Sequence, residues 1–313
     1  MTEEDAIEIA REAAEAWGGC DDAPRLVGFR ENVVLEVRLR SGCRAALRLH
    51  RPGYQSHAAI EGELRWTQAL SEAGFSCPRP LATCNGALTH RADDRVVSVI
   101  EWLDATPILD VPSVGREMVY RRLGRCLGDL HNLSDRLGGE RFGRPSWDRD
   151  AFLGAAPLWG PFAANPSLSG AERRFLQVAE DTAGTELVAL AEPDIGLIHA
   201  DALQENVLDD GQTLWLIDFD DCGWGYRGYD LGVALVQHAA SPDLPTLSRA
   251  LLEGYAAVRP GFPKKSLPLF MMLRGFASAG WIVPRAPAGD PRQRSYAERA
   301  LRLAEIYLGR SAP

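Results

Sequence analysis

The residues best suited to chemistry sit in one short island of the chain. An apolar strand, Ile195 to Ile198, runs directly into His199, Ala200 and Asp201, and Asn206 follows. Beyond Val207-Leu208 come the turn Asp209-Asp210-Gly211 and a second apolar strand, Leu214 to Ile217, which ends in Asp218-Phe219-Asp220. The turn is a hairpin signal, so Asn206 and Asp218 are expected to return to the same end of one hairpin. An amide oxygen and a carboxylate then converge. With Asp201 they supply what phosphoryl transfer asks of a protein: a carboxylate to accept or orient an attacking hydroxyl, and hard oxygen ligands for magnesium on the phosphates. A lone His-x-Asp says almost nothing, and the bland reading of the island is a solvated polar loop and hairpin. The ordered set His199, Asp201, Asn206, Asp218 and Asp230 says more, because apolar strand flanks aim several acids at one place. That arrangement is electrostatically costly unless a cation or a reaction uses it.

The elements around the island divide the chain in two. An acid-started amphipathic helix (Ile7, Ile9, Ala10, Ala13, Ala14, Trp17) precedes short strands over Arg25 to Leu35, Val37 to Leu39 and Ala45 to Leu49, with a turn at Ser41-Gly42. A helix over Gln55 to Glu72 stops at Gly74, Cys77-Pro78-Arg79-Pro80 is held extended by its prolines, and strands are expected at Gly86 to His90 and Arg95 to Glu101. From Pro107 onward the pattern is helical: Val114 to Leu137 up to Gly138-Gly139, then Ala171 to Leu190, Tyr229 to Ala239, Leu244 to Val258, Leu267 to Ile282 and Arg292 to Leu308. The Pro- and Trp-bearing stretch from Phe142 to Pro166 interrupts them. The fold class is therefore α+β, with a small sheet and long helix up to residue 101 and a mainly helical part over 102–313.

The His-x-Asp, four residues, Asn pattern, followed by an apolar strand ending in Asp, resembles the signature of the aminoglycoside phosphotransferases, choline kinases and homoserine-type kinases. Tyr229-Asp230-Leu231-Gly232 and Arg48-Leu49-His50-Arg51-Pro52-Gly53-Tyr54 add to the resemblance. It implies a protein-kinase-like, two-lobed fold with ATP between the lobes, and transfer of the γ-phosphate to a hydroxyl of a small molecule. By position, Asp201 looks like the catalytic base and Asn206 and Asp218 like the Mg2+ ligands. His199 would brace the loop, and Asp230 would anchor it. Such a fold needs a strand cation to hold the phosphates and a helix acid to fix that cation. Arg48 matches the first and Glu63, rather than Glu61, the second; Arg30 and Arg51 are the nearest other cations. The Glu101 carbonyl and Leu103 amide would bind adenine. Ala200 stands where the family has Gly, which is tolerable at negative φ and otherwise costs about 1 kcal/mol. Gly28-Phe29-Arg30-Glu31-Asn32 takes the place of a glycine-rich phosphate loop.

Composition bounds the partners. The 313 residues are 46% hydrophobic and 25% charged, and a net charge of −9 argues against charge-driven binding to nucleic acid or an anionic membrane. It suits a cationic acceptor, an amino alcohol of the homoserine or choline type or an aminoglycoside-like antibiotic. Six scattered cysteines without metal-site spacing read as buried, reduced thiols, and the N-terminus lacks the pattern of a signal sequence, so a cytoplasmic enzyme is expected. Trp147, Trp159, Trp281, Phe270, Met271 and Met272 read as core rather than as a pocket, and His131 as a satisfied core histidine. Two rivals share these motifs: a Ser/Thr protein kinase of the bacterial stress-response type, and a pseudokinase that binds nucleotide without transfer.

Overall fold

The computed structural model describes residues 1–29, 32–110, 112, 115–138, 142–190 and 194–309. The chain divides into two compact units, one comprising Met1–Thr106, Arg141–Arg144 and Asp210–Asp220, the other Pro107–Glu140, Pro145–Asp209 and Asp221–Pro313.

In the first unit, α1 (Glu3–Ala14) begins at a capping box in which Thr2 and Asp5 satisfy each other's backbone N–H. It is followed by β1 (Arg25–Phe29), β2 (Val33–Arg38), β3 (Arg44–Leu49), α2 (His57–Glu72), β4 (Thr89–Ala92) and β5 (Arg95–Glu101), and the five strands order as β1-β2-β3-β5-β4. The single strand expected over Arg25 to Leu35 is instead two antiparallel strands with Phe29 opposite Val33. The polar Arg30-Glu31-Asn32 is where the apolar alternation lapses, and Arg30, Glu31, Val114 and Gly139 lie outside the described residues. The strand expected at Val37 to Leu39 is the end of β2, and Gly42 at φ +85° makes the turn into β3.

Alternation then decides which residue faces what. Leu35, Leu47 and Val99 lie side by side in register and pack with Ala6, Ala10 and Ala13 of α1. A strand's side chains alternate between faces, so Arg48, opposite Val34 and Ser98, belongs to the other face, where it meets α2. Ser56 caps α2 by accepting from Ala59 N at 3.1 Å.

β6 (Thr106–Pro107) leads into the second unit, which holds α3 (Arg116–Arg136), β7 (Ser146–Trp147), α4 (Arg149–Leu153), α5 (Gly170–Ala189), β8 (Ile195–Ile198) and β9 (Val207–Asp209). After β10 (Leu214–Leu216), which belongs to the first unit, it resumes with β11 (Gly223–Tyr226), α6 (Arg227–Leu235), α7 (Leu244–Ala256), α8 (Leu267–Trp281) and α9 (Pro291–Tyr307). β8 runs antiparallel to β11 with Ile198 opposite Gly223, and β7 runs parallel to β11. The helix expected from Tyr229 to Ala239 tightens to a 3₁₀ turn after Leu235. The apolar stretch Lys264–Arg285, long enough by length and composition to cross a membrane, is mostly buried and contributes to the core here. The cysteines are free, but only Cys20, Cys77 and Cys222 are buried; Cys43 and Cys126 are half-buried and Cys84 is exposed, contrary to the expectation for all six.

α3 and α7 touch backbone to backbone through glycines. A Cβ on Gly124 would stand 1.9 Å from Leu251 O, one on Gly254 1.9 Å from Arg121 O, and one on Gly128 2.5 Å from a Val258 methyl. Gly124→Ala and Gly254→Ala are expected to destabilise by about 1–3 kcal/mol, the cost of overpacking against atoms that cannot rotate away. Gly128→Ala should cost less because the Val258 side chain can turn. Gly170→Ala, whose Cβ meets a flexible Arg174 guanidinium at 3.5 Å, should be neutral or mildly stabilising. Urea midpoints of the four variants check this ranking.

Candidate active site

The second unit builds a rigid loop at the end of β8. Asp230, in the first turn of α6 and fully buried, accepts from His199 N at 2.9 Å and Ala200 N at 2.7 Å. His131 Nε2 lies 3.0 Å from the same carboxylate and His131 Nδ1 2.9 Å from the Tyr255 hydroxyl. A carboxylate only accepts, so Nε2 carries the proton and Nδ1 accepts from the phenol. Burial would raise the Asp230 pKa, but His131 and the loop amides outweigh it and hold the carboxyl below its usual value. Its stabilising share is therefore full above the ordinary carboxylate range and lost as pH falls through the depressed value.

Pinned in this way, Ala200 sits at φ +65°. Negative φ would have made its methyl tolerable; at positive φ the residue carries about 1–2 kcal/mol of strain, held by bonds on both sides. One is its own N–H to Asp230, and the other is its carbonyl, which accepts from Arg274 Nη1 at 3.2 Å. Asp201 follows. Its amide donates to His199 Nδ1 at 3.2 Å, Oδ1 accepts from Arg274 Nη2 at 2.5 Å, and Oδ2 accepts from Asn206 Nδ2 at 2.8 Å. Asn206 also donates to Asp201 O at 2.9 Å, so its amide nitrogen is spent on the loop and its Oδ1 is the group left to act as a ligand. Arg274 is buried beneath, with its guanidinium kept charged by Asp201 against the cost of burial.

The first unit gathers a second charge cluster. Arg48 Nη1 donates to Glu63 Oε1 at 2.6 Å, with both side chains buried, and Arg48 Nη2 lies 3.6 Å from Asp220 Oδ1. Burial opposes the charge on Arg48, but Glu63, Asp220 and Asp218 together hold its pKa above the ordinary value. Asp220 shows the converse: burial and the Glu63 charge push it up to about 7, with Arg48 pulling the other way and Asp218 adding to the rise. Next to them, burial and the Arg48 charge hold His50 down at about 3, and its Nε2 meets Ser98 Oγ at 2.9 Å. The chain just after Asp218 (φ +61°) is fixed. Phe219 packs edge-on against Trp66 at 5.4 Å, and the Asp220 carbonyl accepts from Gln55 at 3.2 Å and from Arg144.

Two features of these clusters bear on a nucleotide and a metal. Arg48 Nη2, Glu63 Oε2 and Asp220 Oδ1 are buried without a hydrogen-bond partner. An unsatisfied guanidinium N–H calls for an anion, and the surplus of carboxylates at Asp218 and Asp220 is what a divalent cation offsets. Asn206 Oδ1 and the Asp218 carboxylate are hard oxygen donors of the kind such cations take.

The structure thus joins Asp201 with Asn206, His199 and Asp230 in the second unit and Arg48 with Glu63 in the first, where Asp218 also lies. Glu61 pairs instead with Arg65 on the outer side of α2. Arg51 is exposed. Glu101 ends β5 opposite Ala45, donating its amide to Arg79 O at 2.9 Å, and Leu103 follows the strand. Phe270, Met271, Met272 and Trp147 are buried as expected of core, whereas Trp159 and Trp281 are half-buried. Sequence reasoning passed over Arg274 and Arg144. Arg274 carried a readable signal, as the lone charge in the apolar run Leu267–Trp281; Arg144, in a loop, carried none.

The chain is similar to known kinases of small molecules. A homoserine kinase of Gluconobacter oxydans is 27% identical over 81% of this chain and 80% of its own. The structure of a microcompartment-associated aminopropanol kinase superposes with a TM-score of 0.83, at 28% identity over 97% of this chain and 98% of that one. That of the amicoumacin kinase hAmiN, in complex with AMP-PNP, Ca2+ and Ami, has a TM-score of 0.76 at 17% identity, over 99% and 94% of the two chains. The model of the phosphotransferase enzyme family matches residues 25–264, and the chain belongs to that family, as a protein-kinase-like phosphotransferase acting on a hydroxyl of a small molecule.

Proposed function

We propose that the chain transfers the γ-phosphoryl group of ATP to a hydroxyl of a small acceptor, with Asp201 as the residue that receives the hydroxyl proton. The observation that carries this reading is the immobilised Asp201 carboxylate, held by Arg274 and Asn206 on a loop that Asp230 fixes from below. A carboxylate so held loses little freedom when the acceptor binds. The acceptor oxygen forms a bond to the γ-phosphorus, the bond from that phosphorus to the bridging oxygen breaks, and the hydroxyl proton passes to Asp201. Asn206 and Asp218 would hold Mg2+, which supplies charge neutralisation on the phosphates.

Arg48, kept in place by Glu63, would bind the α- and β-phosphates through the N–H that now lacks a partner. The Glu101 carbonyl and Leu103 amide are the proposed adenine contacts. In this reading residues 1–101 form the nucleotide-binding lobe and 102–313 the catalytic and acceptor-binding lobe. The amicoumacin kinase complex with AMP-PNP and Ca2+ supports use of a nucleotide and a divalent cation, and the homoserine and aminopropanol kinases support a small amino alcohol or amino acid as acceptor. A cytoplasmic setting fits the free thiols.

Asp201→Ala is expected to lower turnover by about 10²- to 10⁴-fold with ATP affinity nearly unchanged, since its role is with the hydroxyl. Equal turnover in a coupled ADP-release assay would remove the assignment. Asp218→Ala should weaken metal-dependent ATP binding as well as turnover, and a nucleotide titration in excess Mg2+ that matches the unmodified enzyme would show that Asp218 is not the ligand. Arg48→Ala should lose nucleotide affinity and about 3–5 kcal/mol of stability by stranding buried Glu63, whereas Arg48→Lys keeps part of the activity. Glu63→Gln should be a mild version of the same defect and add little to Arg48→Ala. Rates at low and saturating ATP for the four variants, with fully additive losses as the contrary outcome, decide whether the two act as a unit.

A further inference from the structure

Asp230, near the start of α6, holds the reactive loop from one side, and the 3₁₀ turn that prolongs α6, Val236–His238, holds the same loop a second time. Gln237 lies seven residues beyond Asp230, about 10 Å along the axis and two turns on, which puts the two side chains on one side of the helix. Its Oε1 accepts from Gln204 N at 3.0 Å and from Gln204 Nε2 at 3.2 Å, and its Nε2 donates to Glu205 Oε2 at 2.8 Å. A backbone N–H can only donate and a carboxylate can only accept, so the network itself fixes which way the Gln237 amide faces. His238, the next residue, is buried with its Nε2 2.5 Å from the Tyr120 hydroxyl of α3, which anchors this end of the helix.

The second grip falls on the turn that presents Asn206. Gln204–Asn206 is a single 3₁₀ turn, with Asn206 N donating to Leu203 O at 2.9 Å. So short a turn has little hold on its own conformation, because one hydrogen bond must fix several backbone dihedrals. The first N–H groups of a helical turn also find no acceptor within it, and Gln237 supplies one for Gln204. Asn206 Nδ2 is engaged by Asp201, so its Oδ1 stands wherever the backbone of this turn carries it. Asp230 therefore fixes the residues before Asp201, and Gln237 those before Asn206.

We propose that Gln237 is a positioning residue for the divalent cation, acting through the Gln204–Asn206 turn to hold Asn206 Oδ1 in place as a ligand before the metal arrives. A donor fixed in advance loses little freedom when it binds, whereas a loosened one must be ordered by the cation at the expense of affinity. The inference rests on the reading of Asn206 as a metal ligand.

The test uses the full-length enzyme saturated with AMP-PNP and Mn2+ as the probe, read by the enhanced water proton relaxation that protein-bound Mn2+ produces. Gln237→Leu should weaken Mn2+ binding by about 10- to 100-fold, the usual effect of removing a group that orients a metal ligand. Turnover should fall at low Mg2+ and largely recover at high Mg2+ with KM for the acceptor unchanged, a split that a general loss of folding does not produce. Gln237→Glu keeps the shape of the side chain but sets a second carboxylate against Glu205, so it should show the same defect. Adding Glu205→Gln rebuilds the network with donor and acceptor exchanged, and should recover most of the lost affinity. This isosteric pair also decides the matter if Gln237→Leu does not fold. Unaltered Mn2+ affinity in Gln237→Leu, a turnover defect that high Mg2+ leaves in place, or a double variant as weak as Gln237→Glu alone would each overturn the inference. Asn206→Ala separates it from the reading beneath. No loss of Mn2+ affinity in that variant removes Asn206 as a ligand and this inference with it, whereas a loss there and none in Gln237→Leu removes the role of Gln237 alone.

Discussion

The reactive loop depends on one buried carboxylate. Asp230 has no water to solvate it, so its charge is tolerable only while two successive backbone amides and His131 supply hydrogen bonds. Those same bonds draw the amides of His199 and Ala200 to one point and force the chain into a backbone conformation that an alanine resists. The strain is local, and the donors that hold it come from α3 and α8 as well as from the loop itself. The helices of the second unit thus serve to deliver His131 and Arg274 to the same few residues.

The first unit handles charge differently. Its cluster is left in deficit: a buried arginine with a spare donor, a glutamate and an aspartate each with a spare acceptor, and one carboxyl pushed toward neutrality by burial and by the carboxylates beside it. Folding alone would favour a cheaper solution, since buried ions with unsatisfied atoms cost more than apolar side chains of the same size. Such a cluster makes sense when a ligand of high charge completes it. The second unit also keeps buried atoms without a hydrogen-bond partner, Arg274 Nε and the Tyr229 hydroxyl among them, but it has no comparable surplus of carboxylates around an arginine with a spare donor.

Most of this was legible where chemistry and periodicity agree. Arg48 and Glu63 were legible because the family they resemble asks for a strand cation and a helix acid, and the two do pair in the structure. The His199 to Asp218 order could be read because strands flank it on both sides. The break between β1 and β2 was missed because β-forming residues resume at Val33, although Gly28 and the polar Arg30-Glu31-Asn32 interrupt the run. The sign of φ at Ala200 was beyond reach too, since it is set by Asp230, far along the chain. Arg274 shows the intermediate case: a lone charge in an apolar helix is visible, but the carboxylate that draws it in is known only once the helices are packed.

The first unit is assembled from three separate stretches of chain, and this matters for how the protein is made. Synthesis is vectorial, and domains tend to fold as they emerge. Arg48, Glu63 and Trp66 leave the ribosome early, but Phe219, which packs on the Trp66 ring, and Asp220, which shares Arg48, come only after about half of the second unit has been made. Until then the nascent first unit carries an arginine–glutamate pair short of one carboxylate and an indole face without its cover. Its final form waits on the segment that carries Asp218, so a chain interrupted anywhere before that point cannot complete this half of the protein, however well its first hundred or so residues have folded.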